Sequence, residues 1–371
     1  MTIVRDLLHS LAEQYSFSRA AKWDKVGLQI GDKTARVQRV LVAHEITDEV
    51  LNEAENYQAI VAYHPLIFRP LENLDFQNHT ARLTARCVAQ NLNVIAVHTA
   101  LDNAPQPNAL GDKLAETLGL GNIEVLSPDG FEALCKIVVF VPDENRRAVQ
   151  EAMWEAGAGQ IGNYDCASFR VRGNGTFRPN ENADPHTGEI GKLEEADEWR
   201  LEIIAPQNRQ NQIVAAMKAA HPYEEVAFDI IALQNREANQ NYGAARVGTI
   251  DATPLDIFAA RISSKLQAPS VRLVRAGKHI ERVACVPGSG AGYIEAAAKA
   301  GCDCLVSGDF KHHDALQARG LGLSLIDVTH VATERVAVPM IAAALNNLEV
   351  EVVQCAVETN PFEGWAATNS N

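Results

Sequence analysis

Two short stretches pair an imidazole with a carboxylate at the same spacing. In HTALD, residues 98–102, His98 precedes Asp102; in HVATE, residues 330–334, His330 precedes Glu334. If each stretch is helical, residues four apart stack on one face, and nitrogen and oxygen donors together suit a transition metal. One such pair is too small a set, because a metal site draws three or four ligands from the protein. His64, in YHPLIF at 63–68, is a further donor. Taken singly, a His and a carboxylate at this spacing also describe a solvated helix face. The chemistry therefore depends on what brings the pairs together.

The surrounding elements supply a reason for convergence. Residues 39–103 read β-α-β-α-β: RVLVAHEI, the helix DEVLNEAEN with Leu51 and Ala54 inward, QAIVAYHPLIF ending at His64-Pro65, the helix TARLTARCVAQN, and LNVIAVHTALD running out at His98. Residues 282–334 repeat that order as RVACVPGSG, GYIEAAAKAG, CDCLVSGDFKHHD, ALQARG and LGLSLIDVTHVATE. Such alternation predicts parallel sheets. Ligands of α/β folds collect beyond the carboxyl ends of parallel strands. Both copies put histidines there: His64 and His98 in the first, His312, His313 and His330 in the second. Two copies packed face to face would gather His64, His98, Asp102, His330 and Glu334. Spacing alone does not prove that they do.

Between the copies lies a different pattern, β-α-β-β-α-β over about 126–240. Its strands are ALCKIVVFVP, YDCASFRVRG, EWRLEIIAP and EEVAFDIIAL; its helices are DENRRAVQEAMWEAG, with Asp143 as N-cap, and QNQIVAAMKAAH. This order suits a ferredoxin-like split βαβ module. A long polar loop, GTFRPNENADPHTGEIGKLEEAD, divides its middle strands, and QNREANQNYG, 234–243, is a polar linker back to the parent domain. The expected organisation is an α/β N-terminal lobe at 1–125, an inserted α+β domain at 126–240, and an α/β C-terminal lobe at 241–371.

Composition narrows the class. The 371 residues are 47% hydrophobic and 22% charged, an ordinary globular balance. The net charge is −14 and no Lys/Arg run exceeds a pair, so general binding to a phosphate backbone is not expected. The seven cysteines include no C-x-x-C, and most lie in apolar runs. They read as buried free thiols of a reducing compartment, with Cys302 and Cys304 on one face of a strand. No stretch reaches the length of a membrane span, and the first residues lack the pattern of a signal peptide. The expected location is the cytoplasm.

The quoted residues resemble the Nif-three-like (NGG-one-interacting factor) family, whose members are often labelled GTP cyclohydrolase type 2 homologues. KWDKVGLQIGD at 22–32 is similar to its W-D-x-x-G-L-x-x-G signature. YHPLIF, HTALDNAPQPN at 98–108, GSGAG at 288–292, SGDFKHHD at 307–314 and HVATE resemble its other blocks. The insertion, with EAGAGQIGNYDCASF, GTFRP and HPYEE at 221–225, resembles the CutA/PII-like insertion of the YqfO-type long members. The resemblance implies two divalent metal ions (Zn, Fe or Mn) between two similar α/β lobes, held by His64, His98, Asp102, His330 and Glu334. Many bacterial members have two adjacent His where this chain has Tyr63-His64. A phenol stays protonated near pKa ~10 and is a poor ligand. Homo-oligomers, typically hexamers built from dimers, are implied as well.

The chemistry expected of such a centre is metal-dependent hydrolysis of a nucleotide or phosphoester-like small molecule whose identity stays open. The alternative is a non-catalytic metal-homeostasis or ligand-sensing protein. A structural scaffold is a third reading. Around the site, Gly288 and Gly290 could offer amides to an anion at a helix start or serve turn geometry alone. His312 and His313 could lie just behind the metals or in a polar loop. Arg69 and Lys311 could steer an anion, His221 and Glu224 could edge a site on the insertion, and His44 reads as a hydrogen-bonded strand-end histidine. Pro339 implies a kink or a fresh helix start, so helicity is needed only from 329 to about 335.

Overall fold

The computed structural model describes residues 1–128, 130–131, 133–235, 241–268 and 270–362. Two compact units emerge: Met1–Gly130 with Tyr242–Asn371, and Phe131–Asn241. The fold is mixed α/β with several sheets.

The first unit holds two sheets of matching design. In one, Gly27–Ile30, Asn93–Ala96, Ala59–Ala62, Arg39–Ala43 and Glu351–Gln354 lie side by side in that order. In the other the order is Arg272–Val274, Ser324–Asp327, Cys304–Gly308, His279–Ser289, Arg246–Pro254 and Gly121–Val125. Each contains three consecutive parallel strands flanked by one antiparallel strand that precedes them in the chain and pairs with the last of them. The internal repeat is thus four strands deep, one more than the β-α-β-α-β pattern contains. The fourth strands, GLQI and RLV, are too short to announce themselves. Each sheet also takes an edge strand from the other half of the sequence, Glu351–Gln354 in the first and Gly121–Val125 in the second.

Alternation explains the packing. Along Arg39–Ala43, Val40 and Val42 join one core with Val61, Ile95, Leu7 and Ile341, while Leu41 and Ala43 join another with Ile60, Val94, Leu51 and Leu83. The second sheet is likewise covered on both faces. Parallel strands buried on both faces read as unbroken apolar runs, which is how RVLVA, AIVA and CLVSG read. One ion pair lies deep inside: Arg246, fully buried, donates through Nε and Nη2 to Asp112. Asp112 sits in the helix Leu110–Leu118.

The second unit is a four-stranded antiparallel sheet in the order Phe228–Ala232, Leu134–Val141, Glu194–Pro206, Phe169–Phe177. Arg146–Glu155 and Gln210–Ala220 supply Val149, Met153, Ile213 and Met217 to its core. In sequence numbering of its own strands this is 4-1-3-2, the arrangement a split βαβ pair produces. Both ends of the expected long loop are in fact strand, with Phe177 opposite Glu194, so the loop shortens to 178–193.

Several local expectations are corrected. Asp143 is not the N-cap; Asn145 precedes the helix, and the Asp143 carboxylate is taken by Arg146 and Trp199 side chains instead. Cys302 lies before its strand, in a different core from Cys304, so strand alternation does not relate them. All seven cysteines are free, but Cys166 is exposed, at a left-handed backbone position. Pro339 is the third residue of a fresh helix, Ala337–Ala344, where its missing N–H would be unpaired anyway. The return linker falls partly on 236–240, outside the described residues. Among the described residues, no helix is long and apolar enough to cross a membrane.

Candidate metal centre

Both His-x-x-x-carboxylate stretches are short helices that begin at the histidine, His98–Asp102 and His330–Glu334. Each follows the last parallel strand of its sheet. The turns that launch them are tight: His98 (φ 34°) and Thr329 (φ 75°) occupy the left-handed region, as does Asp309 (φ 61°) just after the strand Cys304–Gly308; non-glycine residues enter it at a cost, and such positions concentrate at functional sites.

Glu334 is the hub, and it is buried. Its Oε2 lies 3.0 Å from His44 Nε2, 3.1 Å from His330 Nε2 and 3.5 Å from His64 Nε2. The ligand atoms of His44, His64 and Glu334 all fall within 4.8 Å of one another. The ring of His98 lies 5.0 Å from that of His64, and His330 lies 5.6 Å from His64 on the other side. Histidines of both repeats therefore meet in one place.

A second tier of carboxylates fixes the rings. His64 Nδ1 bonds Glu45 Oε1 at 2.7 Å, His98 Nδ1 bonds Asp24 Oδ1 at 2.9 Å, and His330 Nδ1 bonds Asp309 Oδ2 at 2.7 Å. An ionised carboxylate only accepts, so each Nδ1 carries hydrogen, while the Nε2 atoms of His64 and His330 face Glu334 Oε2. Imidazole held at one nitrogen by a carboxylate is the usual arrangement behind a metal ligand. Asp24 also receives the backbone N–H and hydroxyl of Thr99.

Tyr63 is buried and donates its hydroxyl to Asp102 Oδ1 at 2.8 Å. Burial, then the Asp102 charge, push its pKa well above 10, so it is a donor and not an anionic ligand. Burial lifts Asp102 to about 7 against the pull of His98. Burial works against the charge on His330, yet Glu334 and Asp309 together raise it to about 9. Burial would raise Glu334, but His330, His44 and His64 hold it near 2. Burial likewise opposes the charge on His98; Asp24 and Asp102 outweigh it and its pKa rises.

The five expected ligands thus have different surroundings. His64, His330 and Glu334 are in direct mutual contact, His98 meets the His64 ring edge-on, and Asp102 joins through Tyr63. His44, read from sequence only as a bonded strand end, belongs to the cluster; its buried Nδ1 has no partner. Asp24, Glu45 and Asp309 were missed. They lie inside quoted blocks, but no fixed spacing ties a carboxylate to a histidine 74 residues away. His312 and His313 are exposed, open the helix His312–Gly320 and lie against each other at 5.4 Å; Asp309 is the residue of that block that reaches His330. The Gly288 amide already donates to Thr333 Oγ1. A Cβ on Gly288 would fall well inside 3.0 Å of Glu334 Oε1, and one on Gly290 would strike Ser307. These glycines therefore serve close approach. His221 bonds the Phe140 carbonyl and the Tyr223 amide and so fastens a turn. Arg69 and Lys311 are exposed. At the rim, exposed Trp23 and Phe68 lie 5.8 Å apart, with Trp23 5.9 Å from His98.

An α/β scaffold with duplicated four-strand motifs and a histidine–carboxylate cluster at their strand ends defines the class. The family model Duf34/NIF3 (NGG1p interacting factor 3) matches residues 2–361, and the chain belongs to that family. A Halalkalibacterium halodurans relative named GTP cyclohydrolase 1 type 2 homolog is 36% identical over 355 residues, covering 93% of this chain and 94% of the relative. A Bacillus subtilis relative of the same name is 36% identical over 363 residues, covering 95% and 96%. The crystal structure of a Bacillus cereus protein related to NIF3 is 34% identical, with a TM-score of 0.86 over 97% of this chain and 98% of that one.

Proposed function

We propose that this protein is a metal-dependent hydrolase with a two-ion centre, acting on a nucleotide or phosphoester-like substrate. His64, His98, Asp102, His330 and Glu334 are its ligands and His44 is an additional donor. One observation carries the reading: three imidazoles each have Nδ1 fastened to a carboxylate and Nε2 left for coordination. The donor set fits Zn, Fe or Mn, which take imidazole and carboxylate together. His44 Nε2, 3.0 Å from Glu334 Oε2, adds a further donor to the cluster.

Divalent ions there would supply Lewis acidity and an activated water. The remaining work belongs to the chain. Glu45, Asp24 and Asp309 hold the three rings in one tautomer and orientation. Tyr63 holds its proton on the phenol oxygen and orients Asp102. Trp23 and Phe68 offer ring faces beside His98, which favours a nucleotide over an acyclic phosphoester. The names of the relatives agree with a nucleotide but fix no reaction on this chain.

The test joins metal analysis to turnover. Elemental analysis and anomalous scattering of crystals grown without added metal should give two ions per chain, roughly 3.5–4 Å apart. His330→Ala and Glu334→Ala should lose them. A metal-loaded protein that cleaves nothing in a broad panel of nucleotides, phosphoesters and cyclic amides would sink the hydrolase reading. A second reading, a ligand-sensing or metal-homeostasis protein, is favoured by the separate four-stranded unit, which we take to be a CutA/PII-like insertion on its strand order. Stoichiometric transfer of metal to a partner, with no turnover, would select it. The expected homo-oligomer, a hexamer built from dimers, would sediment at six times the 40.3 kDa chain.

A further inference from the structure

The second unit contains a cleft of about 470 Å³, within the range of small-molecule sites. It lies between the sheet, the loop 178–193 and the turn His221–Glu225. The loop is built in. The Asp184 amide donates to Glu224 Oε1 at 2.8 Å, and the Gly191 amide donates to the Pro179 carbonyl at 2.8 Å. His221 fastens the turn on the other side through its bonds to Phe140 and Tyr223.

The lining decides the chemistry. Phe140, Phe177 and Tyr223 contribute aromatic rings. Glu198, Glu224 and Glu225 contribute carboxylates against one guanidinium, Arg178, which is exposed. Glu198 is half-buried and bonded to the Tyr223 phenol, which burial and that carboxylate push up to about 12. An anion would meet net repulsion here. A neutral apolar ligand would desolvate carboxylates without pairing them. A bare metal ion is a poor fit, because among the described residues three or more ligand atoms converge only at His44, His64 and Glu334. An organic cation satisfies both halves of the lining, through ring faces and charge-assisted hydrogen bonds.

We propose that this cleft is a binding site for a small organic cation, an amine on a compact apolar body, with Glu198 and Glu225 as charge partners and Phe177 and Tyr223 as ring walls. The site rests on the insertion alone and stands or falls apart from the metal-centre reading.

The test is calorimetric titration of the full chain with tyramine and choline, and with 3-(4-hydroxyphenyl)propionate as the charge-reversed probe. The expected result is saturable binding of at least one amine, one per chain, with no binding of the carboxylate. Glu198→Gln should weaken it at least tenfold. Glu225→Gln, at an exposed position that leaves folding alone, should weaken it severalfold with an unchanged circular dichroism spectrum. Absence of binding by both amines at millimolar concentration would overturn the proposal. So would equal binding of amine and carboxylate, or full affinity in both variants.

Discussion

Gly288→Ala is the sharpest probe of how the centre is assembled. Gly288 sits at φ +67°, where an L side chain costs about 1–2 kcal/mol. Its new Cβ would also fall inside 3.0 Å of Glu334 Oε1 and 3.2 Å from two atoms of the His330 ring. Glu334 has nowhere to retreat, since its other oxygen is ringed by His44, His64 and His330. To clear 3.0 Å the carboxylate must shift by about 0.6 Å or more, past the roughly 0.5 Å tolerance of a functional constellation. Metal affinity should fall on the order of 10–100-fold, as it does when a ligand loses its support. Unfolding free energy should drop by about 1–3 kcal/mol. Gly292→Ala is the control: nothing lies within 4 Å of its Cβ and its φ is not left-handed. The assay is competition with a chromophoric chelator on metal-stripped protein, beside urea unfolding. If Gly288→Ala matched wild type in affinity while Gly292→Ala did not exceed it, the hub role of Glu334 would be refuted.

Four further outcomes are expected. Asp309→Asn, Asp24→Asn and Glu45→Gln should each lower metal affinity roughly 10–100-fold without touching a ligand, read by the same competition. Tyr63→His should add a donor and raise occupancy of the weaker ion, read by elemental analysis at limiting metal. Apparent affinity should rise with pH up to about 9, because an ion must displace the proton that Glu334 and Asp309 hold on His330; titration in buffers of different ionisation enthalpy counts that proton. In the metal-free chain the sign reverses: the raised pKa stabilises the fold fully below 6.5, and that contribution fades as pH climbs through about 9. Asp112→Ala should destabilise by about 3–5 kcal/mol, since it strands the buried Arg246 charge; denaturant melts check it.

The parallel strands were legible because both faces are buried, so RVLVA and AIVA are unbroken apolar runs. The two His-x-x-x-carboxylate stretches were legible because helical spacing is local. GLQI and RLV were not, being edge strands of four and three residues whose pairing is set by tertiary contact. His44 hid for a related reason. Its neighbour in sequence is a strand, while its partner Glu334 is 290 residues away. The carboxylates behind the rings belong to the same class: pairs such as Asp24 and His98 exist only after the chain has folded. Asp143 failed as a cap because the pattern ignores competing donors, here Arg146 and Trp199.

The exchanged edge strands carry a consequence for biosynthesis. Arg39–Ala43 needs Glu351–Gln354 as its parallel neighbour, with Arg39 bonded to Glu351 across 312 positions. A ribosome must therefore release residues up to Gln354 before the first sheet can close. Until then the Arg39–Ala43 edge stays open, a template for pairing with other nascent chains. The inserted unit pairs its strands within residues 134–232, so it can complete while the parent sheets wait. Shortening the carboxyl end past Glu351 should thus promote aggregation during synthesis more than it lowers the stability of chains already folded.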